Sequence, residues 1–236
     1  RFGYNQPLPS LKLYFDPAEP ASYISGSTKI YDLSGNGYTG SLSGSSTAFP
    51  APAYSTSGGG SLFFSGSTSA TAGTQGSTIA QFVSGSSAPG NINIGNTYTV
   101  DMWVNMTAYI GIWLSSQTQG TYHNYILSTA DSRNDTDTAA TNYIDFNVSL
   151  ALNTWYNVVI VRNGDTMWCY LNGNLVQAID TGNTTADFNL FKIGGYQVNS
   201  GYYPKGYLGA FKIYSGIVNP VQIYNNFQST RARYGV

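Results

Sequence analysis

NTWYNVVIVRNGDTMWCYLNGNLVQAID, residues 153–180, holds two Asn-Gly pairs, Asn163-Gly164 and Asn172-Gly173, each set between runs of β-branched and aromatic residues. Asn-Gly supplies the two positive φ angles of a type I′ turn, whose twist matches that of the flanking strands. The stretch therefore predicts three antiparallel strands, near 154–162, 165–171 and 174–180. With two-residue loops, Arg162 faces Asp165 and Leu171 faces Asn174. Side chains alternate along a strand, so Tyr156, Val158, Ile160, Met167, Cys169, Leu171, Val176 and Ala178 share one apolar face, which belongs to a core. The other face carries Trp155, Asn157, Val159, Val161, Thr166, Trp168, Tyr170, Leu175, Gln177 and Ile179. That mixture fits a sheet face that is partly covered or meets a ligand. A slip of one residue would exchange the two faces.

Working outward, the 236 residues suffice for one large β-sandwich or two small domains. Only 9% are charged and the net charge is −1, which argues against electrostatic binding to nucleic acid or an anionic membrane. Solubility must come from Ser, Thr, Asn, Gln, Gly and the 20 tyrosines. Cys169 is the only cysteine, so no intrachain disulfide forms, and its place on the apolar face marks it as a small buried hydrophobe. No apolar run reaches the roughly 18 residues of a spanning helix. The chain opens on Arg1 without a visible signal peptide, which predicts a processed form or a fragment. Arg1-Phe2-Gly3 echoes Arg233-Tyr234-Gly235, which predicts a preceding unit ending in a similar helix. Asn-x-Ser/Thr sequons stand at Asn105, Asn134, Asn147 and Asn183 and matter only if the host glycosylates.

Residues 1–10 read as an extended lead-in with Pro7 and Pro9. Leu11, Leu13 and Phe15 alternate with Lys12 and Tyr14 as a strand. Asp32-Leu33-Ser34-Gly35-Asn36-Gly37 demands a tight turn with positive φ. Further strands are expected at 61–65, at 98–106 with Tyr98, Val100, Met102, Val104 and Met106 on one face, at 143–150, 188–194 and 207–214. Residues 107–126, with Tyr109, Trp113, Tyr122, His123 and Tyr125, and residues 128–142, with Asp131, Asp135 and Asp137, read as loops. Asn219-Pro220 opens one helix, an N-cap followed by a first-turn proline, with Ile223, Tyr224 and Phe227 on one face. About ten strands, one helix and no βαβ alternation make an all-β sandwich of two antiparallel sheets, a single domain over 11–236.

Five motifs in order carry a family resemblance. LKLYFDPAEPASYISGSTKIYDLSGNGYTG, GGGSLFFSGS, YTVDMWVN, TWYNVVIVRNGDTMWCYLNGNLV and YLGAFKIYSGIVNPVQIYNNFQSTRARYG together resemble LamG-like, concanavalin A-like jelly rolls of the kind found in bacteriophage structural proteins. The resemblance covers about 11–235 and implies a jelly-roll sandwich closed by a short C-terminal helix. It also implies calcium, for which Asp32 and Asn36, or Asp131, Asp135 and Asp137, offer oxygens. Asp32 has a competing role as a turn-builder whose carboxylate bonds nearby amides. Members often carry Asp in the last strand, where this chain has Gly209 or Ala210, and Asp where Ser65 stands.

Glycoside hydrolysis needs two carboxylates, and jelly-roll glucanases of this fold use a Glu-x-Asp-x-x-Glu strand. Glu19, between prolines, is the only glutamate, so that motif is excluded; Asp pairs such as Asp135 and Asp137 remain in principle, in a loop without a neighbouring histidine. His123 is the only histidine and no Gly-x-Ser-x-Gly elbow accompanies it, so neither a triad nor a zinc site is expected. His123 reads as a polar loop residue or as part of a binding surface. Aromatic faces stack on sugar rings and amides bond hydroxyls. Tyr109, Trp113, Tyr122, Tyr202 and Tyr203 in loops, with Trp168 and Tyr170 on the mixed sheet face, are the glycan-binding candidates, against the plainer reading that most of them pack or meet neighbouring subunits. The expected function is a non-enzymatic virion surface or structural protein, such as a capsid decoration, fibre or tail component, with a glycan-binding role. The alternative is a secreted carbohydrate-binding or adhesion module of a cell. Expected partners are other subunits of an oligomeric assembly and cell-surface glycans, on a virion or outside a cell.

Overall fold

The computed structural model describes residues 9–45, 47–66, 77–84, 91–108, 112–116, 125–128, 133–135, 143–145, 150–180, 187–195 and 203–236. The chain runs β1 (Ser10–Phe15), β2 (Lys29–Tyr31), β3 (Tyr38–Gly44), β4 (Ala53–Ser55), β5 (Ser61–Phe64) and β6 (Ser77–Ser84). Next come β7 (Ile92–Gly95), β8 (Thr97–Met106), β9 (Ile112–Ser116), β10 (Tyr125–Ser128), β11 (Arg133–Asp135) and β12 (Tyr143–Asp145). The last are β13 (Trp155–Asn163), β14 (Thr166–Leu171), β15 (Asn174–Asp180), β16 (Phe188–Ile193), β17 (Gly206–Ser215) and the helix α1 (Pro220–Tyr234).

Two antiparallel sheets form. One has the order β15-β14-β13-β8-β17-β5-β4 with β1 also on β17; the other runs β12-β11-β10-β9-β16-β6-β3-β2 with β7 also on β16. Inward side chains of both build one core, among them Leu13, Phe15, Leu62, Phe64, Tyr98, Val100, Met102, Val104, Ile160 and Phe211 from the first, and Ile30, Ile79, Trp113, Leu114, Leu190 and Ile193 from the second. The alternation predicted for 98–106 is thus the core face of β8. Residues 112–116, 125–128 and 133–135 are not loop but strands, because β16 and its neighbours supply the ladder partners their short polar runs do not advertise.

The hairpins of 153–180 divide into one turn as read and one displaced. Asn172 and Gly173 have φ of 50° and 78°, and Leu171 pairs with Asn174, a type I′ turn. At the first turn only Gly164 has positive φ, and Asn163 pairs with Thr166. The other edge of Asn163 pairs with Thr97 of β8, which holds it extended and pushes the turn to Gly164-Asp165. Arg162 therefore faces Met167, not Asp165. The partner moves by two, an even number, so the predicted faces of β13 and β14 survive. In β15 they do not. The register shifts so that Cys169 meets Gln177 instead of Val176. Val176, 40% exposed, is the extra residue of a bulge, and Val176 and Ala178 leave the core face.

Helix α1 begins in a capping box: the Asn219 side chain accepts from the Gln222 amide at 3.0 Å, and the Gln222 side chain accepts from the Asn219 amide at 3.3 Å. Gly235 ends it in the left-handed conformation at φ 74°. Ile223, Phe227 and Tyr234 are buried against the outer face of the first sheet, while Tyr224 is 47% exposed instead of sharing their stripe. Strand β8 is consequently buried on both faces.

Candidate functional site

The Asp32–Gly37 turn uses its polar atoms on the protein itself. Asp32 Oδ1 accepts from the amides of Tyr14 and Ser34, each at 2.8 Å; Oδ2 accepts from the Ser34 hydroxyl at 2.6 Å and from the Tyr38 amide at 3.4 Å. Asn36 Nδ2 donates to the carbonyls of Leu11 and Lys12, and the Leu33 amide donates to the Tyr14 carbonyl. The turn thus covers the free side of β1, satisfying the backbone groups that an edge strand leaves open. A calcium ion wants converging oxygens, whereas donors converge on Asp32, so this turn does not fit the ion. Among the described residues no three His, Cys, Asp or Glu side chains gather as a metal site. Asp131 lies outside the described residues, and Asp135 falls in β11. The space beside Gly209 in β17 is taken by the Tyr234 hydroxyl, which accepts from the Ala210 amide at 2.8 Å, so an aspartate there would meet a phenol.

The aromatic candidates separate by burial. Trp113 is fully buried in β9, its ring edge-on to Phe64 at 5.5 Å, so it is a core residue and not a loop platform for sugars. Tyr170 is 6% exposed, packed with Val159, Val161, Tyr214, Val218 and Ile223 under the start of α1, and is likewise withdrawn from ligand. Trp168 is half-buried against the same cluster. Tyr109, Tyr122, His123 and Tyr202 lie outside the described residues.

The helix-covered face carries a polar network. Asn157 Nδ2 donates to Asp101 Oδ1 at 2.7 Å. Burial pushes the Asp101 carboxyl above its ordinary range, opposed by the Lys212 charge and by hydrogen bonds from Asn157 and, on α1, Asn226. Burial, with the Asp101 charge adding to it, lifts the Tyr214 phenol to about 12. The Trp103 indole N–H donates to Thr230 at 3.2 Å, and its ring lies 4.0 Å from Tyr234, nearly parallel at 12°. Arg233 forks onto Asp16, both N–H···O distances 2.7 Å, and also donates to the carbonyls of Gly58 and Gly60. These groups dock the helix. Asn105, first of the sequons, is 7% exposed in β8 beneath this layer and is no acceptor in the folded chain.

Tyr203 stands on the other side. It is half-buried just before β17, and its ring lies on Gly195, where a Cβ would come within 2.8 Å of it. The Lys192 ammonium sits 5.8 Å from the ring centroid, its pKa pushed below the ordinary value by burial. Burial also raises the Tyr203 phenol. Beneath, the Gly194 amide donates to the Trp113 carbonyl at 2.7 Å, fixing the backbone on which the ring rests. No helix among the described residues covers this second sheet. Sequence reading named Tyr203 as a candidate and named neither Lys192 nor Gly195 beside it. The signal was a lone lysine inside the strand Phe188–Ile193 followed by a Gly-Gly pair.

A family model described as the concanavalin A-like lectin/glucanases superfamily (Laminin_G_3) matches residues 80–224. No curated protein matches the sequence. Among solved structures, domain 4 of AbnA, a GH43 extracellular arabinanase from Geobacillus stearothermophilus solved with arabinotriose, superimposes at TM-score 0.61 and 14% identity, covering 92% of this chain and 98% of that domain. The binding domain of botulinum neurotoxin DC in complex with SialylT gives 0.60 and 14%, covering 94% of this chain and 52% of that one. The binding domain of Paraclostridial Mosquitocidal Protein 1 gives 0.60 and 15%, covering 93% and 52%. The chain thus spans about half of the two toxin binding domains. At such identities the likeness is one of fold.

Proposed function

Taking as premise that this chain belongs to the concanavalin A-like lectin/glucanase superfamily, we propose that it is a non-catalytic carbohydrate-binding module displayed on a larger assembly, a virion surface or a secreted or cell-surface protein. The observation that carries this reading is the Tyr203 platform: an aromatic ring backed by Gly195, beside a partly desolvated ammonium. A flat ring stacks on a pyranose face, and an ammonium or phenol bonds its hydroxyls. Domain 4 of AbnA was solved with arabinotriose and the binding domain of botulinum neurotoxin DC with SialylT, which supports a sugar over other small ligands. Three aspartates and the lone glutamate support binding over hydrolysis. Asp16 and Asp32 are tied to partners of their own, Asp101 is buried under α1, and Glu19 is the single glutamate.

A glycan array probed with the 236-residue chain tests it. Saturable binding is expected, weakened at least about tenfold by Tyr203→Ala, since one stacked ring and its hydrogen bonds contribute about 1.4 kcal/mol. Silence across the array, or undiminished binding by a folded Tyr203→Ala protein, overturns the proposal. The virion setting is tested separately by locating the chain in purified particles with an antibody raised against it.

A further inference from the structure

Apart from the side branches β1, whose free side the Asp32–Gly37 turn covers, and the four-residue β7, the two sheets end, among the described strands, at β15, β4, β12 and β2. The last three are three residues long, and short edges guard against unwanted pairing. β15 is different. It has seven residues, no proline and no charge before Asp180, with Leu175 54% and Val176 40% exposed. Among the described residues its one guard is the bulge at Val176. The start of α1 continues the same surface. A Cβ on Gly173 would lie 3.2 Å from the Tyr224 ring, so the β14–β15 turn and the helix touch. Val221 is 64%, Tyr224 47% and Ile217 43% exposed. Leu175 pairs with Tyr170, which packs against Ile223 and Val218, so Leu175 and the start of α1 share one underlying cluster. From Met167 to Ile179 and from Ile217 to Thr230 there is no charged residue.

We infer that this edge is a self-association surface, on which β15 of two copies pairs antiparallel and the exposed side chains of α1 close over the seam. A two-fold interface sets the same patch against itself, which a charged surface resists by self-repulsion and this uncharged one does not. A partner recognised by charge would find nothing on it to pair with. Seven residues present about 24 Å of ladder on which no other described strand pairs. In the β14–β15 hairpin, Leu171 and Asn174 flank a two-residue turn and exchange both hydrogen bonds, so the N–H and C=O of Leu175 turn outward. Past the bulge, Ala178 opposite Trp168 takes the same outward orientation. For the function proposed above, a dimer would carry two sugar platforms on one particle and gain avidity without any new sugar contact.

Light scattering of the eluting 236-residue chain from micromolar concentration upward tests this, with two variants. Ala178→Pro removes an outward N–H without costing a bond to β14; Leu175→Lys plants a charge on the patch. The unaltered chain is expected at twice the single-chain mass, and both variants at the single mass with unchanged melting temperature. A single mass for the unaltered chain, or twice that mass for both folded variants, overturns the inference. Should Ala178→Pro fail to fold, Leu175→Lys decides alone. Sugar binding is read on the same samples with a monovalent oligosaccharide. Its absence from all of them sinks the proposed function while leaving the dimer measurement standing.

Discussion

The two sheets share a core, yet their outward faces are finished differently. The first presents Trp103, Trp155, Asn157, Asp101 and Tyr170, residue types that would pass for a sugar site, and the chain supplies its own occupant, α1. The second has no helix among the described residues and presents Tyr203 on Gly195 beside Lys192. Aromatic and amide composition therefore does not tell a ligand surface from a docking surface. What tells them apart here is whether a described element of the chain, α1, lies over the side chains.

The largest expected effect lies on the covered face. Asp16→Ala leaves Arg233 half-buried without its carboxylate and should cost about 3–5 kcal/mol in denaturant unfolding. A loss under about 1 kcal/mol would mean that apolar packing alone docks the helix. Next is Asp32→Ala, which removes the acceptors of four hydrogen bonds and uncovers β1, for about 2 kcal/mol. If the turn holds no ion, added calcium shifts the melting of native and variant proteins equally. Tyr203→Ala sharpens the contrast from the other side: sugar affinity should fall at least about tenfold while stability changes by less than about 1 kcal/mol. A purely structural Tyr203 would show the reverse.

The smallest effect is proton-linked. The folded Asp101 carboxyl holds its proton more tightly than the unfolded chain does, because burial disfavours the charge. Its contribution to stability is therefore full below the unfolded carboxyl's pKa, about 3.9, and is lost as pH rises through the raised folded value. Asp101→Asn removes that fall. Unfolding at a series of pH values should find the variant equal to the native protein in acid and more stable by about 1 kcal/mol near neutrality. A native protein at least as stable as the variant at neutral pH would mean that the ionised form is preferred under the helix.

Much of this was legible. Local chemistry wrote the Asn172-Gly173 turn, the capping box at Asn219 and the alternation of β8. Other features depend on what the segment meets in space. Asn163 is kept out of its turn by Thr97, a residue 66 positions earlier (163 − 97). The bulge at Val176 has no compositional mark, so the third strand was read correctly at Leu175 and with its faces exchanged from Val176 onward. Trp113 looked like a loop residue because its strand is short and polar around it, and only β16 and Phe64 make it core. Trp168 and Tyr170 were placed on the correct face, but nothing local said that α1 would lie over it. Arg233 and Asp16 are 217 positions apart, beyond any periodicity.

That separation also orders events in time. β1 pairs with β17, which begins at Gly206, so on a ribosome the first strand is made long before its ladder partner exists. Until then only the turn at Asp32–Gly37, some twenty residues downstream, can shield its backbone. Contacts this distant form slowly because the loop they close must be ordered first. Arg233 meeting Asp16 is then among the last acts of folding, the latch by which a nascent chain becomes a finished one.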